Sequence, residues 1–86
     1  MIMNSRHRKT LDAVFSEPVP RTIEWRRIEA LLIAVGCEII EGSGPRVAFK
    51  YGALRADFHR PHPGKEAKPY QVRIAREFLE QLGVNR

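Results

Sequence analysis

Apolar positions recur along this chain with two different periods, and the point where the period changes divides it. Leu11, Val14 and Phe15 follow i, i+3, i+4 spacing, which predicts a short amphipathic helix over about residues 6 to 16. Pro18 and Pro20 end it, and the segment from Glu17 to Arg21 reads as an extended connector. Thr22 is a good N-cap and Glu24 falls in the first turn, where the helix dipole favours an acid. Trp25, Ile28, Leu31, Leu32 and Val35 then mark one face of a second helix over about residues 23 to 35, with Arg26, Arg27 and Glu29 opposite and Gly36 as the left-handed stop.

From Cys37 the period becomes two. Cys37 to Glu41 is short, β-branched and bounded by Gly42-Ser43-Gly44-Pro45, which predicts a strand. Val47, Phe49 and Tyr51 alternate with Arg46, Ala48 and Lys50, and after a turn at Gly52, Leu54, Ala56 and Phe58 alternate with Arg55, Asp57 and His59. Three strands with short connections form an antiparallel meander. Pro69 suits the first turn of a last helix, in which Val72, Ala75, Phe78, Leu79 and Leu82 lie on one side. Arg73, Arg76, Glu77 and Glu80 lie on the other, and Gly83 closes it. The order is α-α-β-β-β-α, an α+β two-layer sandwich whose three-stranded antiparallel sheet is covered by helices on one face.

The polar half of the strand pattern is basic. Arg46, Lys50, Arg55 and His59 point away from the helices. Strand two begins after Gly42-Ser43-Gly44-Pro45, and strand three ends into Phe58-His59-Arg60-Pro61-His62-Pro63-Gly64-Lys65. In an antiparallel pair the start of one strand lies beside the end of the next, so Arg46 and His59 become neighbours. The prolines on both sides of His62 stiffen its loop.

The chain has 86 residues, the size of one domain: 1–86, with residues 1–21 as N-terminal helix and connector and 22–84 as the core. Hydrophobic residues make up 43% and charged residues 29%, enough for a packed core. Fifteen Lys and Arg against ten Asp and Glu leave a net charge of +5, which favours a polyanionic partner, RNA or DNA ahead of an anionic membrane. The single Cys37 excludes an internal disulfide and a cysteine-based metal cluster, and it suits a reducing cytoplasm. No signal-peptide core and no apolar run of membrane-spanning length is present, so a cytoplasmic protein with no membrane contact is expected. His59 and His62 lack the third and fourth ligands that zinc takes, so no metal site is expected. The glycine-rich turn lacks the flanks of a nucleotide-binding loop, and no small-molecule cofactor is expected.

These residues suit the cleavage of RNA. That chemistry needs a base for the 2′-hydroxyl, an acid for the leaving 5′-oxygen, and cations for the crowded phosphorane. His62 and His59 are the candidate base and acid, because imidazole titrates nearest neutrality. Arg46, Arg60 and Lys65, with Lys50 and Arg55 on the sheet, are the candidate phosphate ligands, and the turn at Ser43 presents backbone N–H groups to a phosphate. Two other readings use the same residues: an RNA-binding module without catalysis, and a protein whose task is to dock with a partner. His7, beside Arg6, Arg8 and Lys9, reads as part of a solvated basic terminus.

Four segments together carry a family resemblance. They are Ile23-Glu24-Trp25-Arg26-Arg27-Ile28-Glu29-Ala30-Leu31-Leu32, then Gly42 to Phe49, then Phe58 to Pro63, and Tyr70-Gln71-Val72 through Phe78-Leu79. In this order they resemble the HicA toxins, the mRNA interferases of HicA–HicB toxin–antitoxin pairs, over roughly residues 9 to 84. The resemblance implies a fold like the double-stranded RNA-binding domain, with the first helix as an extension. It also implies endoribonuclease activity on mRNA, translation arrest, and neutralisation by a HicB-type antitoxin. Many members place a catalytic histidine directly after the Gly-Ser of this segment; here that position is Gly44. The later family histidine, in the loop before the last helix, matches His62.

Overall fold

The structure, a computed structural model, describes residues 3–62 and 64–85. Its elements are α1 (Ser5–Val14), α2 (Trp25–Ala34), β1 (Glu38–Glu41), β2 (Arg46–Tyr51), β3 (Leu54–His59) and α3 (Pro69–Gln81). Order and class are those the periodicity predicts. The strands lie as β1-β2-β3, each antiparallel to the next. α1 packs on α2 and α3, and α3 packs on β3. Among the described residues no helix is long and apolar enough to cross a membrane.

The core fills from both layers. Val14, Ile28, Leu31, Leu32, Val72 and Leu79 of the helices are fully buried with Phe49 of β2. Trp25 and Phe58 pack with ring centroids 4.9 Å apart, and Phe49 meets Phe58 edge-on at 5.9 Å. Cys37 is buried among these side chains, and burial pushes its thiol pKa up, so it packs as a small hydrophobe.

Two helix boundaries differ from the expectation. α1 stops at Val14, because Arg76 draws the carbonyls that follow to itself, donating to Val14 O and Ser16 O at 2.8 Å each. Arg76 also pairs with Glu17, and its guanidinium lies 5.9 Å from the Phe15 ring centre. It therefore joins two helices and is not one of the solvated charges on the outer side of α3. α2 starts two residues late, with Glu24 and not Thr22 at the cap position. The cause is a backbone pairing invisible in the local pattern: Trp25 N–H donates to Lys65 O and Ala67 N–H donates to Ile23 O, both at 2.8 Å. That bridge, centred on Glu24 and Glu66, holds the chain extended at Glu24.

Two strand positions also depart from simple alternation. Tyr51 is exposed although it shares parity with Val47 and Phe49, because it lies at the hairpin tip, against Gly36. Ala48 faces outward yet is buried, since its register partners Ile40 and Asp57 flank a side chain too short to emerge between them.

Candidate active site

Among the described residues no helix covers the outer face of the sheet, and the chemistry of that face follows from register. β2 and β3 pair Arg46 with His59, Ala48 with Asp57 and Lys50 with Arg55. The neighbourhood of Arg46 and His59 expected from strand order is thus realised, and both side chains are exposed. Arg55 sits beside Asp57 on the same strand, its Nη2 3.0 Å from Oδ1 of the carboxylate. A shallow cleft of about 440 Å³ runs over this end of the sheet, lined by Ser43, Arg46, Arg55, Asp57 and His59 above a floor that includes Ile40 and Ala48.

The turn between β1 and β2 shapes the mouth of the cleft. Gly42 N–H donates to Arg46 O at 2.9 Å, and a Cβ at Gly42 would stand 3.0 Å from Arg46 Cβ and 3.3 Å from its carbonyl oxygen. Only glycine closes this turn without moving Arg46. Gly44 adopts φ +60, a left-handed conformation that strains any other side chain, and a Cβ built there meets nothing within 4 Å.

The loop after β3 is fastened at both ends. Arg60 N–H donates to Pro45 O at 2.8 Å, tying the end of β3 to the start of β2. The His59 carbonyl accepts from Nε2 of Gln71 at 2.7 Å; Gln71 is fully buried, and its Oε1 accepts from the Lys68 N–H at the start of α3. Downstream, the Lys65 and Ala67 bonds to Trp25 and Ile23 hold the other end. His62 lies between these anchors and is exposed; the stiffening expected from Pro63 falls outside the described residues.

Arg60 has a different environment from the other candidate phosphate ligands. Its Nε donates to Glu29 Oε2 and its Nη1 to Glu41 Oε1, both at 2.7 Å, so one guanidinium clamps α2 to the end of β1. Trp25 Nε1–H shares the same Glu29 carboxylate. The two carboxylates raise the pKa of Arg60, and the hydrogen bond from Arg60 holds the Glu41 carboxyl below its usual range. Lys65 borders a second cleft of about 390 Å³ with Trp25, Arg60 and Pro61. Of the sequence candidates, Ser43, Arg46, Arg55 and His59 thus share one cleft, and Lys50 pairs with Arg55 one step along the sheet. Arg60 and Lys65 border the other cleft, and His62 lines neither. Among the described residues no three His, Cys, Asp or Glu side chains form a possible metal-binding group.

The family model described as HicA toxin of bacterial toxin–antitoxin matches residues 25–84. The chain belongs to the HicA family. The match spans α2, the whole sheet and α3, and so contains the cleft and both loop histidines; α1 lies outside it. Membership makes this the toxin of a toxin–antitoxin pair, whose counterpart is a HicB-type antitoxin. No curated protein and no solved structure matches the chain.

Sequence reasoning missed Gln71 and the double engagement of Arg60. Glutamine in an amphipathic helix resembles any surface polar residue, and an arginine beside two histidines resembles a ligand. Their partners lie 12 to 31 residues away in sequence, beyond any local pattern.

Proposed function

We propose that this HicA-family chain is an endoribonuclease that cleaves mRNA by histidine acid–base catalysis without a metal, and so arrests translation in the cytoplasm. The observation that carries the reading is the Arg46–His59 pair at the rim of an open, cation-lined cleft. An RNA strand laid there sets a phosphate between the guanidinium and the imidazole. His59 takes the proton of the 2′-hydroxyl as its oxygen attacks phosphorus, and Arg46 stabilises the negative charge that gathers on the phosphorane. The P–O5′ bond breaks, the departing 5′-oxygen takes a proton from His62 brought in by its loop or from water, and a 2′,3′-cyclic phosphate remains. Ser43 and the turn N–H groups beside it contact a non-bridging oxygen. Lys50, Arg55 and Lys65 hold neighbouring phosphates. Arg60 is better matched to fastening the loop, because binding phosphate would require it to leave two carboxylates.

General acid–base assistance contributes roughly 10²–10⁴-fold in rate. His59→Ala is therefore expected to lower mRNA cleavage by about that factor and to relieve growth arrest while the protein stays folded. Cleavage at the wild-type rate by this variant would remove His59 from the mechanism.

Gly44 supports a second reading, an RNA-binding module that has lost catalysis, because glycine offers no group to move a proton at the position where related sequences carry histidine. Purified protein that retards RNA on a gel and leaves it intact after long incubation would establish that reading. A Gly44→His variant that then cleaves would locate the loss.

A further inference from the structure

The helical layer carries a further, electropositive cleft that the reaction described above does not use. It measures about 370 Å³ and is lined by Arg6, His7 and Thr10 of α1 with Arg26, Arg27 and Ala30 of α2. The same three offsets recur on the two helices, so their N-terminal turns lie side by side. Sequence alone makes His7 part of a solvated terminus; the fold places it across from two arginines 19 and 20 positions away.

Three features of this cleft point to a polyanion. Among the described residues no carboxylate lines it, whereas Arg55, Arg60 and Arg76 elsewhere on the surface each meet an acid. Arg26 does touch Glu24 at 2.6 Å, and its side chain remains 78% exposed. Neither helix has an acidic residue in its first turn, and only α2 has an acid, Glu24, at its cap position. Cations there oppose the helix dipoles, most plainly in α1, which has no acid at its start, and an anion between the two N-termini offsets that cost. The lining is also poor in what a protein partner needs. Among the described residues it offers no aromatic ring and no large aliphatic side chain, only Ala30 and the methyl of Thr10 beside guanidinium and imidazole groups. Guanidinium groups without apolar anchors suit phosphodiesters, which they contact without regard to sequence.

We propose that this α1–α2 cleft is a second phosphate-binding site, in which Arg6, His7, Arg26 and Arg27 grip the backbone of the RNA strand away from the reaction cleft. The site rests on the reading that RNA is the substrate, and it gives α1, which lies outside the family match, a role in holding that substrate.

The test uses the full chain and a fluorescent 2′-O-methyl RNA of about 16 nucleotides, the upper end of single-strand site sizes, which binds but offers no 2′-hydroxyl for attack. Affinity is measured from low to moderate salt for wild type, for Arg6→Gln/Arg27→Gln and for Arg6→Lys/Arg27→Lys. Each phosphate contact on a single strand contributes about 0.7 to the slope of log affinity against log salt. The glutamine pair is expected to bind more weakly with a slope shallower by roughly 1.4, and the lysine pair to keep the wild-type slope. A wild-type slope in the glutamine pair overturns the site. So does a glutamine pair that holds RNA as before but loses the HicB-type antitoxin, which would make the cleft a protein interface. Should the glutamine pair fail to fold, Arg27→Gln alone must show a drop of about 0.7. Because the probe is not cleaved, a wild type that binds it with the expected slope yet cleaves no mRNA sinks the nuclease reading and leaves this site standing.

Discussion

Arg60 shows how one side chain can be visible in a sequence while its task is not. Position 60 stands between two histidines in a basic loop, which suggests a phosphate ligand; in the fold its guanidinium spans Glu29 and Glu41 and closes the loop onto α2 and β1. The pair Arg46–His59 was legible because it needs only strand direction and turn length, both written locally. The clamp was not, because its acceptors lie 31 and 19 residues away. It makes a prediction about pH. Arg60 holds the Glu41 carboxyl below the ordinary carboxylate value of about 4.3. A group whose folded pKa is depressed contributes stability that is present above the unfolded pKa and lost as pH falls through the folded one. The stability difference between wild type and Arg60→Gln, from urea unfolding, should therefore be largest near neutrality and shrink below about pH 4. The Glu41 carboxyl followed by NMR should titrate higher in the variant. A Glu41 titration unmoved by Arg60→Gln would show that the contact does not govern this group.

At the scale of elements, the amphipathic periods predict which segments are helices and strands but not how α1 is held. Its outward turn is fixed from α3, where Arg76 donates to Val14 O and Ser16 O, pairs with Glu17 and covers Phe15. In the sequence Arg76 sits between Arg73 and Glu77 on the polar side of α3, and nothing local distinguishes it from a solvated charge. The same blindness applies to Gln71, whose amide links the start of α3 to the end of β3. In both cases a polar side chain satisfies carbonyls in another element, and such partners follow from packing, not from period. Hydrogen bonds from charged donors contribute about 1.5–3 kcal/mol each when measured by deletion. Arg76→Ala is expected to lower stability by roughly 2–3 kcal/mol, allowing for partial exposure and replacement by water. Arg76→Lys should recover little of it, since one ammonium cannot reach three acceptors in a fork. Chemical denaturation of the three proteins checks this, and a lysine variant as stable as wild type would mean that charge alone holds the helix.

For the molecule as a whole, net charge of +5 and a size of 86 residues gave the class of partner and the scale of the core, and strand alternation gave the basic outer face of the sheet, while the second basic surface, between α1 and α2, emerged only with the fold. Size also bears on whether α1 is an appendage. The sequence divides naturally at the connector after residue 21, and the family match begins only at Trp25. Yet Leu11 and Val14 are as deeply buried as the centre of α2, within the same cluster as Phe49 and Leu79. A domain this small buries a modest fraction of its surface, and it has little stability to spare. We infer that residues 1–86 unfold as one cooperative unit with α1 included. Leu11→Ala removes buried volume from α1 alone and should cost about 2–5 kcal/mol. Trp25, the single tryptophan, lies in the core of α2 and reports on the remainder of the fold. If the unit is single, the variant's loss of Trp25 fluorescence and its loss of far-ultraviolet helicity shift together to lower denaturant, with coincident midpoints. A Trp25 transition that stays at its wild-type midpoint while part of the helical signal melts early would make α1 a separable extension, and the phosphate site at its base would then depend on docking and not on folding.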